Sequence, residues 1–399
     1  MEKTLFRYNP WWENDLTSLT KLFNREESFS FLQKNIDNKQ ILFLTGLRRI
    51  GKTSLMKLCI KYLIEVKEVC PKHILYVSMD DFVLSGKSIV DVLEIYKTIH
   101  KLKHTEKTYI FLDEITFVDN YELQLKNIYD KEHTKVFASS SSASLLKSQK
   151  GYLTGRSVTL EVLPLNFSDY LKFKNITISK ADENLKATYF KEFLITGGVP
   201  EYVLTGDDAY IRELMEDIIY KDIAAIHNIK HLSQLKNYFL LLMERSGKTM
   251  SINKVAKVLG ISTQTSKHYF DLFCDTYIIS PVTRYGKLNV QLVSPKKIYC
   301  YDTGIKTYYT GVRDWGALFE NYCFLRLKHL KLNYLYENTI ELDFITENKT
   351  IIECKYHNEP LSKKQQALFD SFKAKQKHIV RDEADIEQIR KTIMGQNSI

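Results

Sequence analysis

Cysteine, proline, glycine and tryptophan are all scarce in this 399-residue chain: 6 Cys, 7 Pro, 15 Gly and 3 Trp. Low proline and glycine exclude a collagen-like or low-complexity chain. The cysteines (Cys59, Cys70, Cys274, Cys300, Cys323, Cys354) are scattered and form no CxxC pair. That excludes a disulfide scaffold or a thiolate zinc framework and fits the reduced thiols of a cytoplasm. No run of about eighteen uncharged apolar residues occurs, so no membrane-spanning helix is expected. The opening MEKTLFRYNPWWEN lacks the apolar core of a secretory signal. The 10 histidines show no HExxH or paired-ligand spacing and read as structural or solvated. Neither sign of charge dominates: 57 Lys+Arg stand against 48 Asp+Glu, a net +9. This permits a nucleic-acid partner without requiring one.

What the chain has is apolar and aromatic mass. Hydrophobic residues make up 44%, with 25 Tyr and 21 Phe, enough for a large packed core without metal or disulfide staples. At roughly 150 residues per domain, two or three domains are expected.

The first 40 residues read as an irregular segment, with Trp11 and Trp12 packing it onto a core, and a polar helix from about Glu26 to Asn38. ILFLTG (41–46) is a short apolar run ending in glycine, hence a buried strand, and SLMKLCIKYLIEV (54–66) has helical periodicity. HILYVSMDD (73–81), TYIFLDEI (108–115) and KVFASSSS (135–142) read as further buried strands separated by helical segments. Strands alternating with helices indicate an α/β unit with a parallel sheet. Residues 164–245 read as helical. Residues 246–305 read as helix, short helix, long helix and two strands, the order of a winged helix. Residues 315–399 return to mixed α/β, with a helix, three strands and a helix from about Lys363.

The most specific signal is Gly46-Leu47-Arg48-Arg49-Ile50-Gly51-Lys52-Thr53, a full GxxxxGK[ST] match between a strand and a helix, followed by Ser54. The glycines permit a tight turn whose N–H groups face phosphates, and the helix N-terminus adds its positive end. Lys52 is expected to reach the β/γ-phosphates and Thr53 to ligate Mg²⁺. Asp113 and Glu114 emerge from the C-terminal end of an apolar strand, where open parallel sheets bind ligands. Asp113 is expected to share the Mg²⁺ and Glu114 to polarise the attacking water. Ser139 to Ser142 end the next strand and offer hydroxyls for the γ-phosphate or the lytic water.

These motifs resemble the AAA-type P-loop ATPases of bacteria and archaea, in particular a group with a C-terminal domain of uncharacterised function. The likeness continues through Tyr152-Leu153-Thr154-Gly155-Arg156, Leu163-Pro164-Leu165, Phe167 and Asp169-Tyr170-Leu171. It extends to Gly197-Gly198-Val199-Pro200-Glu201, Tyr220-Lys221-Asp222-Ile223 and Phe319-Glu320-Asn321. Ser139-Ser140 stand where the family usually has Thr-Gly, and Asp169 where it has Glu. The resemblance implies ATP and Mg²⁺ as ligands. It offers Ser139 as a sensor, Arg156 as an arginine finger or sensor, and Pro200 as an element near the adenine. Against these stand plainer readings: a polar loop for Ser139, an ordinary ion pair for Arg156 and a helix stop for Pro200. The expected organisation is an ATPase core (1–163), a helical lid (164–245), a winged helix (246–312) and a C-terminal module (313–399).

In that last module Glu341-Leu342-Asp343 and Glu353-Cys354-Lys355 lie on two successive strands, with Glu320 on the helix before them. Period two puts Glu353 and Lys355 on one face. This resembles the PD-(D/E)xK nuclease fold, which implies that Asp343, Glu353 and Glu320 hold Mg²⁺ while Lys355 orients water. A half-buried hairpin with a surface Glu–Lys pair is the plainer alternative. Gln264, Lys267 and His268 are candidates to enter a major groove, and Arg284, Lys287, Lys296 and Lys297 to reach phosphates. The chain is thus expected to be a cytoplasmic ATPase whose tail contacts double-stranded DNA. A nucleotide switch docking a protein, or a Mg²⁺-dependent nuclease, are the alternatives.

Overall fold

In a computed structural model, residues 1–143, 151–357 and 359–396 are described. They form two compact units, Met1–Leu163 and Pro164–Ile399. In the first unit a five-stranded sheet has the order β2-β3-β4-β1-β5. Its strands are β1 (Ile41–Thr45), β2 (Ile74–Ser78), β3 (Thr108–Asp113), β4 (Thr134–Ser140) and β5 (Ser157–Glu161), all parallel. β1 and β3 are buried along their whole length, as a sheet covered on both faces requires. The connecting helices include Lys52–Glu65, Ile89–His100 and Tyr121–Lys131. The fifth strand, SVTLE, was not legible in the sequence, because its polar alternation lacks a continuous apolar run.

β2 is an edge strand, and the N-terminal segment covers it. The Asn9 side chain donates to Tyr76 O (2.9 Å) and accepts from Tyr76 N–H (2.6 Å), acting as a one-residue strand. Both indole N–H groups of Trp11 and Trp12 donate to Ile74 O, at 3.2 and 2.8 Å. An unpaired edge is thereby satisfied by side chains instead of by another strand.

The second unit starts with helices, among them Phe167–Phe173, Lys186–Thr196 and Leu232–Arg245. A π-helix, Asp217–Ala225, carries the Tyr220–Ile223 motif. Next come β6 (Lys248–Met250), helices Ile252–Leu259 and Thr263–Asp275, β7 (Ile279–Val282), helix Leu288–Val293 and β8 (Lys296–Cys300). The three strands form an antiparallel sheet, β6-β8-β7. Helix Trp315–Leu327 then leads into β9 (Asn333–Glu337), β10 (Ile340–Ile345) and β11 (Thr350–Cys354). Helix Lys363–Ser371, β12 (Gln376–Val380) and helix Glu383–Gln396 complete the unit. The second sheet has the order β12-β11-β10-β9, with β12 parallel to β11. β12 and the last helix were not expected from the sequence. Arg284 bridges to Tyr334, and Tyr334 Oη donates to Pro295 O (2.7 Å), so the two sheets of this unit are stitched together.

Two turns interlock within the second unit. Gly198 N–H donates to Asp302 Oδ2 (2.6 Å), while Asp302 Oδ1 accepts Ile305 N–H (3.0 Å) at a helix N-terminus. A Cβ on Gly198 would lie 2.4 Å from Leu165 O, and one on Gly304 would lie 2.0 Å from Thr196 O. Only glycine allows that backbone approach. Pro200 sits at the first position of helix Pro200–Thr205, where its missing N–H costs nothing.

Among the described residues no helix is long and apolar enough to cross a membrane. No disulfide joins any of the six cysteines.

Candidate functional site

The phosphate loop folds because its residues accept unusual backbone angles. Gly46 (φ 143°) and Gly51 (φ 98°) lie in the positive-φ region, and a Cβ on Gly46 would stand 2.4 Å from Val162 O. Leu47 and Ile50 are fully buried and anchor the loop, while Arg49 is exposed. Arg25 pins it from below, donating to Ile50 O (3.1 Å) and Leu163 O (2.6 Å). Sequence reasoning missed Arg25, because nothing about a lone arginine 25 residues upstream marks it as a loop support.

Lys52 and Thr53 open helix Lys52–Glu65. Lys52 Nζ donates to Gly46 O, Leu47 O and Ser141 Oγ, each at 3.0 Å. Thr53 Oγ1 donates to Asp113 Oδ2 at 2.6 Å, across 60 residues of sequence. Tyr76 on β2 donates to the same oxygen (2.8 Å), and Ser139 donates to Asp113 Oδ1. Burial and the neighbouring Asp113 carboxylate raise the Tyr76 phenol well above its ordinary pKa, so it stays protonated and donates. Glu114 takes a left-handed backbone conformation (φ 48°) that turns it off the strand end. Its carboxylate accepts from Ser141 Oγ (2.7 Å) and Ser141 N–H (3.2 Å). A chain of polar contacts therefore runs from Lys52 through Ser141 to Glu114.

The serines divide the work differently from expectation. Ser139 is fully buried beneath the carboxylates, bonding Asp113 and the Glu114 N–H (3.0 Å). It holds acidic groups in place, and Ser141 is the hydroxyl beside Lys52. Strand alternation points Ser139 to the site but stops short of Ser141, which lies just past the end of β4 at Ser140. Which serine reached the lysine depended on where the strand ended.

Arg156 departs from the expectation of a catalytic arginine in this site. Its carbonyl accepts Ile41 N–H, at the start of β1, while the phosphate loop follows the end of β1. Five strand residues separate these positions, roughly 17 Å. Arg156 pairs instead with Asp130 (3.2 Å) and lies over the Tyr129 ring. Pro200 belongs to the second unit, in the interlocked turns described above.

Thr53 and Asp113 supply a hydroxyl and a carboxylate oxygen side by side, the hard donors Mg²⁺ prefers, so the residues present fit a nucleotide-bound Mg²⁺.

In the second unit the structure also gathers polar groups, with a different result. Lys297, expected on the surface, is 2% exposed. Its Nζ contacts Glu320 (2.7 Å), Glu341 (2.7 Å) and Asp343 (3.2 Å). Tyr299, two residues along β8, donates to Glu320. Asp343 Oδ2 accepts Cys354 N–H (3.0 Å), and Glu353 Oε2 accepts Asp343 N–H (2.9 Å). Glu353 Oε1 receives Lys355 Nζ (2.9 Å) and Gln365 Nε2 (3.1 Å). Burial, and next to it the Asp343 charge, raise the pKa of both Glu320 and Glu353 above the usual carboxylate range. Burial opposes the charge on Lys297, but the carboxylates around it outweigh that and hold it protonated.

Asp343, Glu353, Glu320 and Lys355 are thus brought together as the sequence suggested, around an ammonium the sequence assigned elsewhere. Among the described residues no cluster of three or more His, Cys, Asp or Glu is arranged to hold a metal ion. Other basic side chains also turn inward. Arg284 donates to Tyr336 O and lies over the Tyr336 ring, and Lys296 donates to Gln291 O. Lys267 remains exposed and pairs with Asp271.

Residues 38–171 match the AAA domain family, and residues 187–315 match a family described as a domain of unknown function. An uncharacterised protein of Methanocaldococcus jannaschii is 27% identical over 367 residues, 86% of this chain and 79% of that protein. An uncharacterised protein of Haemophilus influenzae is 24% identical over 342 residues, 81% of this chain and 84% of that one. Among solved structures, a Walker-type ATPase of Pyrococcus abyssi is similar at 13% identity. That match has a TM-score of 0.43 and covers 72% of this chain and 96% of that one. Residues 38–171 are thus similar to AAA domains and residues 187–315 to a domain of unknown function, and the first unit has the parallel α/β sheet and strand–loop–helix of a P-loop fold.

Proposed function

We propose that the protein binds Mg²⁺·ATP at Gly46–Ser54 and hydrolyses it to ADP and phosphate. The observation that carries this reading is the joining of the loop, Thr53–Asp113 and Lys52–Ser141–Glu114 in one cluster at the C-terminal end of a parallel sheet.

When bound, Mg²⁺ supplies charge neutralisation at the β/γ-phosphates. The chain's own groups do the rest. Loop N–H groups and the helix N-terminus bind phosphate oxygens. Lys52, now held by carbonyl and hydroxyl oxygens, turns its N–H groups to phosphate. Thr53 and Asp113 are placed to ligate the cation, with Tyr76 and Ser139 fixing the Asp113 carboxylate. Glu114, released from Ser141, accepts a hydrogen bond from the attacking water, and Ser141 is left to donate to the phosphoryl group. Positioning and electrostatic stabilisation account for the rate, since phosphoryl transfer asks little covalent chemistry of the protein.

The second unit is read as a helical lid, a winged helix at 246–312 and a nuclease-like module at 313–399, through which ATP turnover is coupled to a partner. Helix, strand, two helices and two strands joined through the short helix Leu288–Val293, with sheet order β6-β8-β7, support the winged-helix reading. DNA is one such partner. A switch that docks a protein is the second reading. It is favoured by the inward turn of Arg284, Lys296 and Lys297 and by the exposure of Leu288, Leu292 and Val293 on one short helix.

Phosphate release from ATP, measured with and without duplex DNA at two salt concentrations, tests both levels. Glu114→Gln is expected to keep nucleotide binding and lose about 10²–10⁴-fold in turnover; turnover equal to the parent's dismisses the assignment. DNA binding that weakens steeply with salt supports the DNA partner, and no binding at low salt supports the docking reading.

A further inference from the structure

The carboxylates of Glu320, Glu341 and Asp343 converge from a helix and a strand on one point, although with the ammonium among them they are not arranged to hold a metal ion. The register of β10 against β9 shifts between Leu342 and Ile345, the stretch that carries Asp343. At the point of convergence stands the Lys297 ammonium. An ammonium has three N–H donors and no acceptor, and Lys297 has three carboxylate partners at 2.7, 2.7 and 3.2 Å. These are hydrogen-bond distances, longer than the ~2.1 Å of a Mg²⁺–oxygen bond.

The rest of the acidic set is committed as well. Both oxygens of Asp343 and both of Glu353 already accept hydrogen bonds or ion pairs from Lys297, Cys354, Asp343 N–H, Lys355 and Gln365. Lys297 is not on a loop that swings. It lies on β8, the central strand of its sheet, paired with Thr249 on one side and Val282 on the other.

We propose that Lys297 is a built-in counter-ion occupying the position of a divalent metal among Glu320, Glu341 and Asp343, so that this nuclease-like module takes no Mg²⁺ there and does not cleave DNA by a metal-dependent route. The ammonium gives one fixed positive charge where a nuclease needs an exchangeable one that also holds water and a phosphate oxygen. The same contact ties β8 to β10 and to helix Trp315–Leu327, merging the three-stranded sheet and the C-terminal sheet into one polar core. The inference does not depend on ATP binding by the first unit.

Mn²⁺ binding to the full-length, nucleotide-free protein, followed by loss of the free-ion paramagnetic resonance signal, tests it. In the parent background Asp343→Asn is expected to leave the number of bound Mn²⁺ unchanged. Lys297→Met is expected to gain one Mn²⁺ per chain, which Asp343→Asn in the same chain removes, and Mn²⁺ should raise the melting temperature of Lys297→Met alone. Lys297→Gln, which keeps donors and bulk, serves if Lys297→Met does not fold. A Mn²⁺ site in the parent that Asp343→Asn abolishes overturns the proposal whatever the lysine variants do. So does a folded lysine variant with no added site, and so does Mg²⁺-dependent plasmid nicking by the parent that Asp343→Ala removes.

Discussion

Two lysines sit in polar clusters of this chain, and their surroundings separate what the clusters can do. Lys52 is held by two backbone carbonyls and a serine hydroxyl, all at 3.0 Å. Lys297 is held by three carboxylates. Carbonyl and hydroxyl oxygens are weaker competitors for an ammonium than carboxylates are, so on the proposed reading they give way to phosphate oxygens at Lys52. Carboxylates inside a low-dielectric interior are strong competitors, and their attraction has already repaid the desolvation of Lys297. On the proposed reading the same residue type serves a ligand in one unit, and in the other it is tied into the fold.

The contrast is sharpest if each lysine is removed. Lys52→Ala is expected to lower affinity for a fluorescent ATP analogue by at least about 100-fold while changing unfolding free energy by no more than about 1 kcal/mol. Lys297→Met is expected to do the reverse, costing about 3–5 kcal/mol in urea unfolding because it strands buried carboxylates, with nucleotide affinity unchanged. Equal stability losses in the two variants would erase the distinction.

Asp302 sharpens the comparison from another side, as a buried carboxylate partnered by backbone N–H groups of Gly198 and Ile305 and by no ammonium in those bonds. Burial raises its pKa from 3.8 to about 6, against the lowering effect of those N–H groups. A raised native pKa means that the folded state binds the proton more tightly. Its contribution is therefore complete below about pH 3.8 and is lost as pH rises through about 6. A decline on the order of 2–3 kcal/mol across that window is expected in denaturant titrations, and Asp302→Asn should flatten it. A slope unchanged in Asp302→Asn would assign the decline to other groups.

How much of this was legible in the chain differs between the two units. β1 to β4 were readable because strands buried on both faces are continuous apolar runs, and the loop was readable because Gly46 and Gly51 mark backbone angles that side chains resist. β5 and β12 were not, since polar residues interrupt their sequences and leave no continuous apolar run. In the second unit Asp343, Glu353, Glu320 and Lys355 were found because strand period and helix order bring them together. Lys297 was misplaced because a lysine beside Lys296 near a turn reads as surface charge.

The sequence by itself determined a P-loop within a parallel α/β sheet, since local angles, a strand end and a helix start specify that loop within eight residues. It also determined that an acidic cluster forms in the tail. Only the tertiary structure decided what neutralises that cluster, which serine meets Lys52, and that Arg156 lies at the far end of β1. Each of these is set by which strands become neighbours and in what register, and no local pattern encodes the partner of a long side chain across 46 residues, as between Lys297 and Asp343.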